Sequence, residues 1–191
     1  MTTITIFGNG NMGQAISGVL ARGGADIQHI GSADTGATVN GDIVVLAVPY
    51  PALAQIATAY GPQLAGKTVV DITNPLDFST FDALVVPAGS SAAAELQSAL
   101  PEAKVLKAFN TNFAATLVSG REGDATTTVL VAGDDADAKA GLIAAITAGG
   151  LVAVDAGTLS RAHELESIGF LQLTLAVGEQ IGWTGGLALV R

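Results

Sequence analysis

The chain has 191 residues, 49% of them hydrophobic and only 13% charged, which suits one buried core and excludes a disordered polymer. It carries no cysteine, so disulfides, thiolate metal sites and cysteine nucleophiles are excluded, and its two histidines, His29 and His163, lack the spacing of a zinc site. A net charge of −9 repels a long polyanion, so nucleic acid is not an expected partner, although a small phosphorylated ligand held by backbone N–H groups remains compatible.

Taken in chain order, Thr3-Ile4-Thr5-Ile6-Phe7 is a β-branched run that ends at glycine and predicts a strand. Apolar residues at Met12, Ala15, Ile16, Val19 and Leu20 then predict a helix over 11–21, stopped by Gly23-Gly24. Strands are expected at 26–30 and 42–48. Only about a dozen residues separate them, so any crossover helix there must be vestigial or absent. A helix over 51–60, with proline near its start, precedes a strand at 67–72. Further strands are expected at 104–108, 127–132 and 151–154, with a helix over 136–147. A last helix over 161–181 carries Leu165, Ile168, Leu171 and Leu175 on one side and Phe170, Leu173 and Val177 on another. A helix apolar on two faces must be covered twice, which predicts a homodimer. The alternation predicts an α/β fold with a doubly wound, mainly parallel sheet. Residues 1–157 would form the dinucleotide-binding domain and 158–191 a C-terminal helix and tail.

The chemistry is carried by Gly8-Asn9-Gly10-Asn11-Met12-Gly13, which leaves a strand and opens a helix. In that context Gly8 permits the tight turn, Gly10 lets a pyrophosphate approach the backbone, and Gly13 lets the helix pack on the strand. A nicotinamide dinucleotide on a Rossmann sheet is therefore expected. The end of the second strand is Gly31-Ser32, with no carboxylate at that point, which favours NADP(H). Asp34, two residues further on, leaves NAD(H) open.

Other candidates sit where predicted strands end. Ala47-Val48-Pro49 follows the third strand, and Tyr50 either faces the nicotinamide or caps the next helix. Asn74-Pro75 follows the fourth strand and Phe109-Asn110-Thr111-Asn112 the fifth, where amide and hydroxyl groups could hold the nicotinamide or its partner. Tyr50 and His163 are the candidate proton donors, should the reaction need one. Asp134, Asp135 and Asp137 read as a helix start rather than a metal site. Trp183, in the uncharged tail 181–190, reads as a packing or dimer contact.

These pieces, together with Lys107-Ala108-Phe109-Asn110-Thr111, Gly133-Asp134-Asp135 and Asp155-Ala156-Gly157, resemble the coenzyme F-420-dependent NADP oxidoreductase family in order and spacing over nearly the whole length. The resemblance implies a Rossmann fold, NADP(H), hydride transfer and a dimer. The family's basic residue after Gly-Ser is replaced here by Ala33. The expected activity is hydride transfer between nicotinamide and a flavin- or deazaflavin-like acceptor. A non-catalytic redox-sensing module, or a small imine or ketone reductase, is the alternative. The N-terminus lacks a basic leader and no apolar stretch is long enough to span a bilayer, so a cytoplasmic location is expected.

Overall fold

A computed structural model describes residues 2–189. Strand β1 (Thr3–Phe7) leads through helix α1 (Asn11–Arg22) to β2 (Asp26–Ile30), and β3 (Ile43–Leu46) follows with no helix between them. Helix α2 (Ala52–Leu64), β4 (Thr68–Asp71), α3 (Ala92–Ala99) and β5 (Lys104–Lys107) complete the first half. Helix α4 (Ala114–Ser119) and a hairpin of β6 (Arg121–Glu122) with β7 (Ala125–Thr126) precede β8 (Thr128–Gly133). The chain closes with α5 (Ala136–Ala148), β9 (Val152–Gly157), a short 3-10 turn at Leu159–Arg161 and α6 (Ala162–Val177).

Seven strands form one sheet in the order β2-β1-β3-β4-β5-β8-β9. The first five are parallel throughout, β8 runs antiparallel to β5, and β9 pairs parallel with β8. The mainly parallel, doubly wound sheet is thus as expected, with one antiparallel junction. The chain moves from β1 outward to β2, then returns to lay β3 on β1's other side. That reversal opens a crevice beyond the carboxyl ends of β1 and β3, where α/β sheets bind ligands.

Strand residues alternate between two packed layers. Ile4, Ile6, Val45, Val70 and Leu106 face Ile16, Val19 and Leu20 of α1 and Leu142 and Ile146 of α5. Phe7, Val44, Leu46, Val69 and Val105 face Leu53, Tyr60 and Leu64 of α2 and Leu96 of α3. Strands buried on both faces read as continuous apolar runs, which is why they were legible.

Three expectations need correction. Helices α3 and α4 and the β6–β7 hairpin carry no strong periodic signal and were not anticipated. The last helix stops at Val177 rather than residue 181, and the anticipated tail runs past Leu189 into residues outside the described range. Above all, α6 buries Ala162, Leu165, Glu166, Gly169, Gln172 and Ala176, while Leu171 is 54% and Val177 47% exposed. Its inward face is made of small and polar residues, and both anticipated apolar stripes contribute residues to the outside.

Candidate functional site

Backbone geometry shapes the glycine loop. Gly8 leaves β1 with φ +104, a conformation side chains rarely adopt, and its N–H donates to the Ile30 carbonyl at 2.9 Å. A β-carbon at Gly8 would collide with the Ala47 carbonyl, and one at Gly13 with the Gly8 carbonyl. Gly10 differs: nothing lies within 4 Å of the place its β-carbon would take. Gly8 and Gly13 therefore serve the turn, and Gly10 leaves open space in front of it. Gly10 is also the N-cap of α1. That first turn has no side-chain cap and no acidic residue, so its N–H groups suit an anion.

The loop borders a cleft of about 540 Å³ at the ends of β1, β2 and β3. Gly8, Asn9, Gly10, Gly31, Ser32, Ala47, Val48 and Pro49 all line it, with Asp34 and Thr35 at one end and Gln55, Ile56 and Tyr60 of α2 as a wall. Eight sequence candidates thus converge on one cleft.

A second cleft of about 440 Å³ lies beyond the ends of β4 and β5 and begins at Asn11 and Met12 of the same loop. Ile72, Asn74, Phe109, Asn110, Asn112, Phe113, Gly169, Gln172, Leu173 and Trp183 also line it. Trp183 crosses from the tail to pack on Phe113 with ring centroids 5.0 Å apart. Phe109, fully buried, takes φ 63, an uncommon left-handed conformation for a large side chain, and starts the turn that carries Asn110 to Asn112. The two candidate amides are locked together: Asn74 Nδ2 donates to the Asn110 carbonyl at 2.8 Å, and Asn110 Nδ2 donates to Asn74 Oδ1 and to the Leu165 carbonyl, each at 2.8 Å. Asn112 Nδ2 donates to Glu122 Oε1 and the Thr128 carbonyl. Three buried oxygens in this cleft's lining, Asn110 Oδ1, Asn112 Oδ1 and Gln172 Oε1, find no partner among the described residues. Thr111 is buried and lies outside both linings.

Beneath this cleft is a charge cluster that the sequence reading did not single out. Lys107 Nζ, fully buried at the end of β5, pairs with Asp71 Oδ2 and Glu166 Oε1, both at 2.8 Å, and donates to the Thr73 carbonyl. Glu166 in turn accepts the N–H groups of Ala92 and Ala93, the free donors at the start of α3. Burial pushes the Glu166 carboxyl above the usual carboxylate range, opposed by Lys107. The signal was present: three charged residues interrupt otherwise apolar runs, where they survive only if paired.

The two candidate proton donors lie elsewhere. The Tyr50 hydroxyl donates to Glu95 Oε2 at 2.6 Å between α2 and α3, and that carboxylate pushes its pKa up to about 12. His163 Nδ1 meets the Ser90 carbonyl at 3.1 Å. Neither residue lines either cleft. Asp135 caps α5 by accepting the Ala138 N–H at 2.8 Å, as a helix start should.

No family model matches the chain. It is 30% identical over 171 residues to the F420-dependent NADP reductase of Methanocaldococcus jannaschii, covering 87% of this chain and 76% of that protein. It is 33% identical over 126 residues to the metalloreductase STEAP3 of Rattus norvegicus, covering 66% of this chain but 24% of that protein. A crystal structure of a protein from Arthrobacter sp. FB24, provisionally assigned as an F420-dependent NADP reductase, superposes over 100% of both chains with TM-score 0.86 at 26% identity.

Proposed function

Because the chain belongs to the F420-dependent NADP reductase family, we propose that it passes hydride between NADP(H) and a planar ring acceptor of the flavin or deazaflavin kind. It is an NADP-dependent oxidoreductase, and the reading adds the acceptor class and the residues. One observation carries it: among the described residues lining the second cleft, none has a titratable side chain. A ketone or imine must gain a proton as it gains hydride, whereas a ring that delocalises the charge needs little help from the protein.

The first cleft fits the dinucleotide's phosphates. Its glycine cradle is open at Gly10, and α1 points free N–H groups toward it. Gly8, Asn9, Gly10, Asn11 and Met12 would hold the pyrophosphate, with Gly13 letting α1 pack against the loop, Gly31 and Ser32 the adenosine ribose, and Ala47, Val48 and Pro49 the span between the clefts. When bound, the nicotinamide supplies the hydride at its C4. The chain supplies position and the exclusion of water. Met12, Ile72, Phe109, Phe113, Leu173 and Trp183 form apolar walls. The interlocked Asn74 and Asn110 hold the rim, and Lys107 holds the carbonyl of Thr73, the residue before Asn74. Tyr50, Thr111 and His163 support the surrounding structure in this reading and transfer no proton.

The exposed Leu171 and Val177 of α6 support a homodimer, checked by light scattering at micromolar concentration. A small-molecule acceptor and a cytoplasmic location fit a chain in which, among the described residues, no helix is long and apolar enough to cross a membrane. The functional test is NADPH oxidation against a panel of flavin, deazaflavin, ketone and imine acceptors. Turnover confined to the ring acceptors is expected. Turnover of ketones or imines alone, or of nothing, overturns the reading.

A further inference from the structure

At the end of β2 the protein places an anion of its own. Residues 31–34 form a turn closed by the Asp34 N–H donating to the Gly31 carbonyl at 3.1 Å. The Asp34 carboxylate then folds back, and Oδ2 accepts the Gly31 N–H at 2.8 Å. The Tyr60 hydroxyl donates to the Asp34 carbonyl at 3.1 Å, which pins the turn to α2. A β-carbon at Gly31 would stand 3.1 Å from Asn9 Nδ2 and 3.3 Å from Asp34 Oδ2, so the glycine loop and the carboxylate meet at one point. Asp34 itself is exposed to the cleft it lines. Among the described residues, none that lines that cleft is Lys, Arg or His.

A 2′-phosphate at this point faces three obstacles. It brings about 1.5–2 negative charges, the charge of a phosphate monoester near neutrality, beside a fixed carboxylate. The Gly31 N–H, a backbone donor at the end of β2, already serves that carboxylate. No guanidinium or ammonium among the described residues of the lining offers the charge-assisted bonds on which phosphate recognition usually depends. A free ribose 2′-hydroxyl meets the opposite situation, because it is a donor and Asp34 is an acceptor. Asp34 also lies 21 residues beyond Gly13, about the separation at which dinucleotide folds place the acid that holds the ribose.

We propose that Asp34 is a specificity-determining residue, and that it makes this site accept NAD(H) as readily as NADP(H), within a family named for NADP. The proposal rests on the reading that the first cleft holds the adenosine half of the cofactor. Its shape is that of a site in which one carboxylate does two things. It accepts from the ribose diol of one cofactor, and it repels the phosphate of the other.

The experiment titrates NADH and NADPH into the wild-type protein, Asp34→Asn and Asp34→Ala at fixed salt, following binding by nicotinamide fluorescence and folding by circular dichroism. Asp34→Asn keeps an oxygen for the Gly31 N–H and so preserves the turn while removing the charge. The wild-type dissociation constants are expected to agree within about threefold, and both variants to shift the ratio about tenfold or more toward NADPH, the effect of losing one charged partner. A wild-type preference for NADPH of thirtyfold or more, or a ratio unmoved in folded Asp34→Asn, overturns the proposal and leaves the cofactor site standing. If no protein binds either nucleotide, the cofactor reading fails as well, and this one with it.

Discussion

Along one edge of the same sheet, the cleft under β1 to β3 is shaped by backbone, whereas the cleft under β4 and β5 is shaped by side chains. In the first, glycines bring carbonyl and N–H groups to the surface, and what they permit is close approach. In the second, the amides of Asn74 and Asn110 hold each other in place, and the amide of Asn112 is held by Glu122 and the Thr128 carbonyl. A backbone site tolerates little change of shape and much change of surroundings. A side-chain site reverses this, because its amides depend on partners distant in sequence, 36 positions apart for Asn74 and Asn110. The contrast matches the division of labour proposed above: the phosphates are bound by a generic device, and the acceptor by a specific one.

The contrast can be broken most severely at Gly13. Gly13→Val forces a side chain into the Gly8 carbonyl and should leave no folded protein by circular dichroism. Gly10→Val should fold normally and lose nucleotide affinity about a hundredfold or more in fluorescence titration, because its side chain meets only the space the phosphates need. If both variants behave alike, the loop is not divided as described. Next in size, Lys107→Met leaves Asp71 and Glu166 buried without their cation and should cost about 3–5 kcal/mol in urea unfolding. The double variant Lys107→Met, Glu166→Gln should recover part of that loss. A smaller effect is expected from Gly169→Ala, whose methyl group collides with the Asn74 amide. Overpacking there should cost about 1–3 kcal/mol. It should also lower acceptor turnover while NADPH affinity stays near wild type, which separates the two clefts in one measurement.

The smallest effect concerns Glu122, whose carboxyl burial pushes upward and whose Oε2 has no partner. An acid with a raised folded pKa favours the fold below its unfolded pKa and loses that contribution as pH rises through the folded value. Glu122→Gln removes the titration. Its Tm should therefore exceed wild type at pH 8. The gap should close toward pH 4.

How legible each region was follows from the same contrast. The glycine loop could be read directly, because spacing alone implies close approach of backbone. The buried strands could be read because both of their faces are apolar. The second cleft could be read only as places where strands end. Asn74 and Asn110 were candidates for ligand contact, yet what they touch is each other, a pairing across 36 positions that no local pattern reveals. Helix α6 misled for a related reason. Periodicity marks large apolar residues as inward, but Gly169 faces inward because the Asn74 amide lies against it, and Glu166 because it completes the Lys107 pair. Helix α3 was missed because its alanine-rich run offers little contrast between faces. Tertiary partners, rather than propensity, decided the first two cases.

The Lys107 cluster also bears on how the molecule comes apart. Its ammonium is satisfied by β4, by the loop after it and by α6, and Glu166 also closes the start of α3. None of these elements can leave alone without stranding a charge in the interior. The last helix, though it shows much of its apolar surface to solvent, should therefore not fray ahead of the sheet. In amide hydrogen exchange, α6, the start of α3 and the ends of β4 and β5 should open as a single cooperative unit, while the tail beyond Val177 exchanges independently.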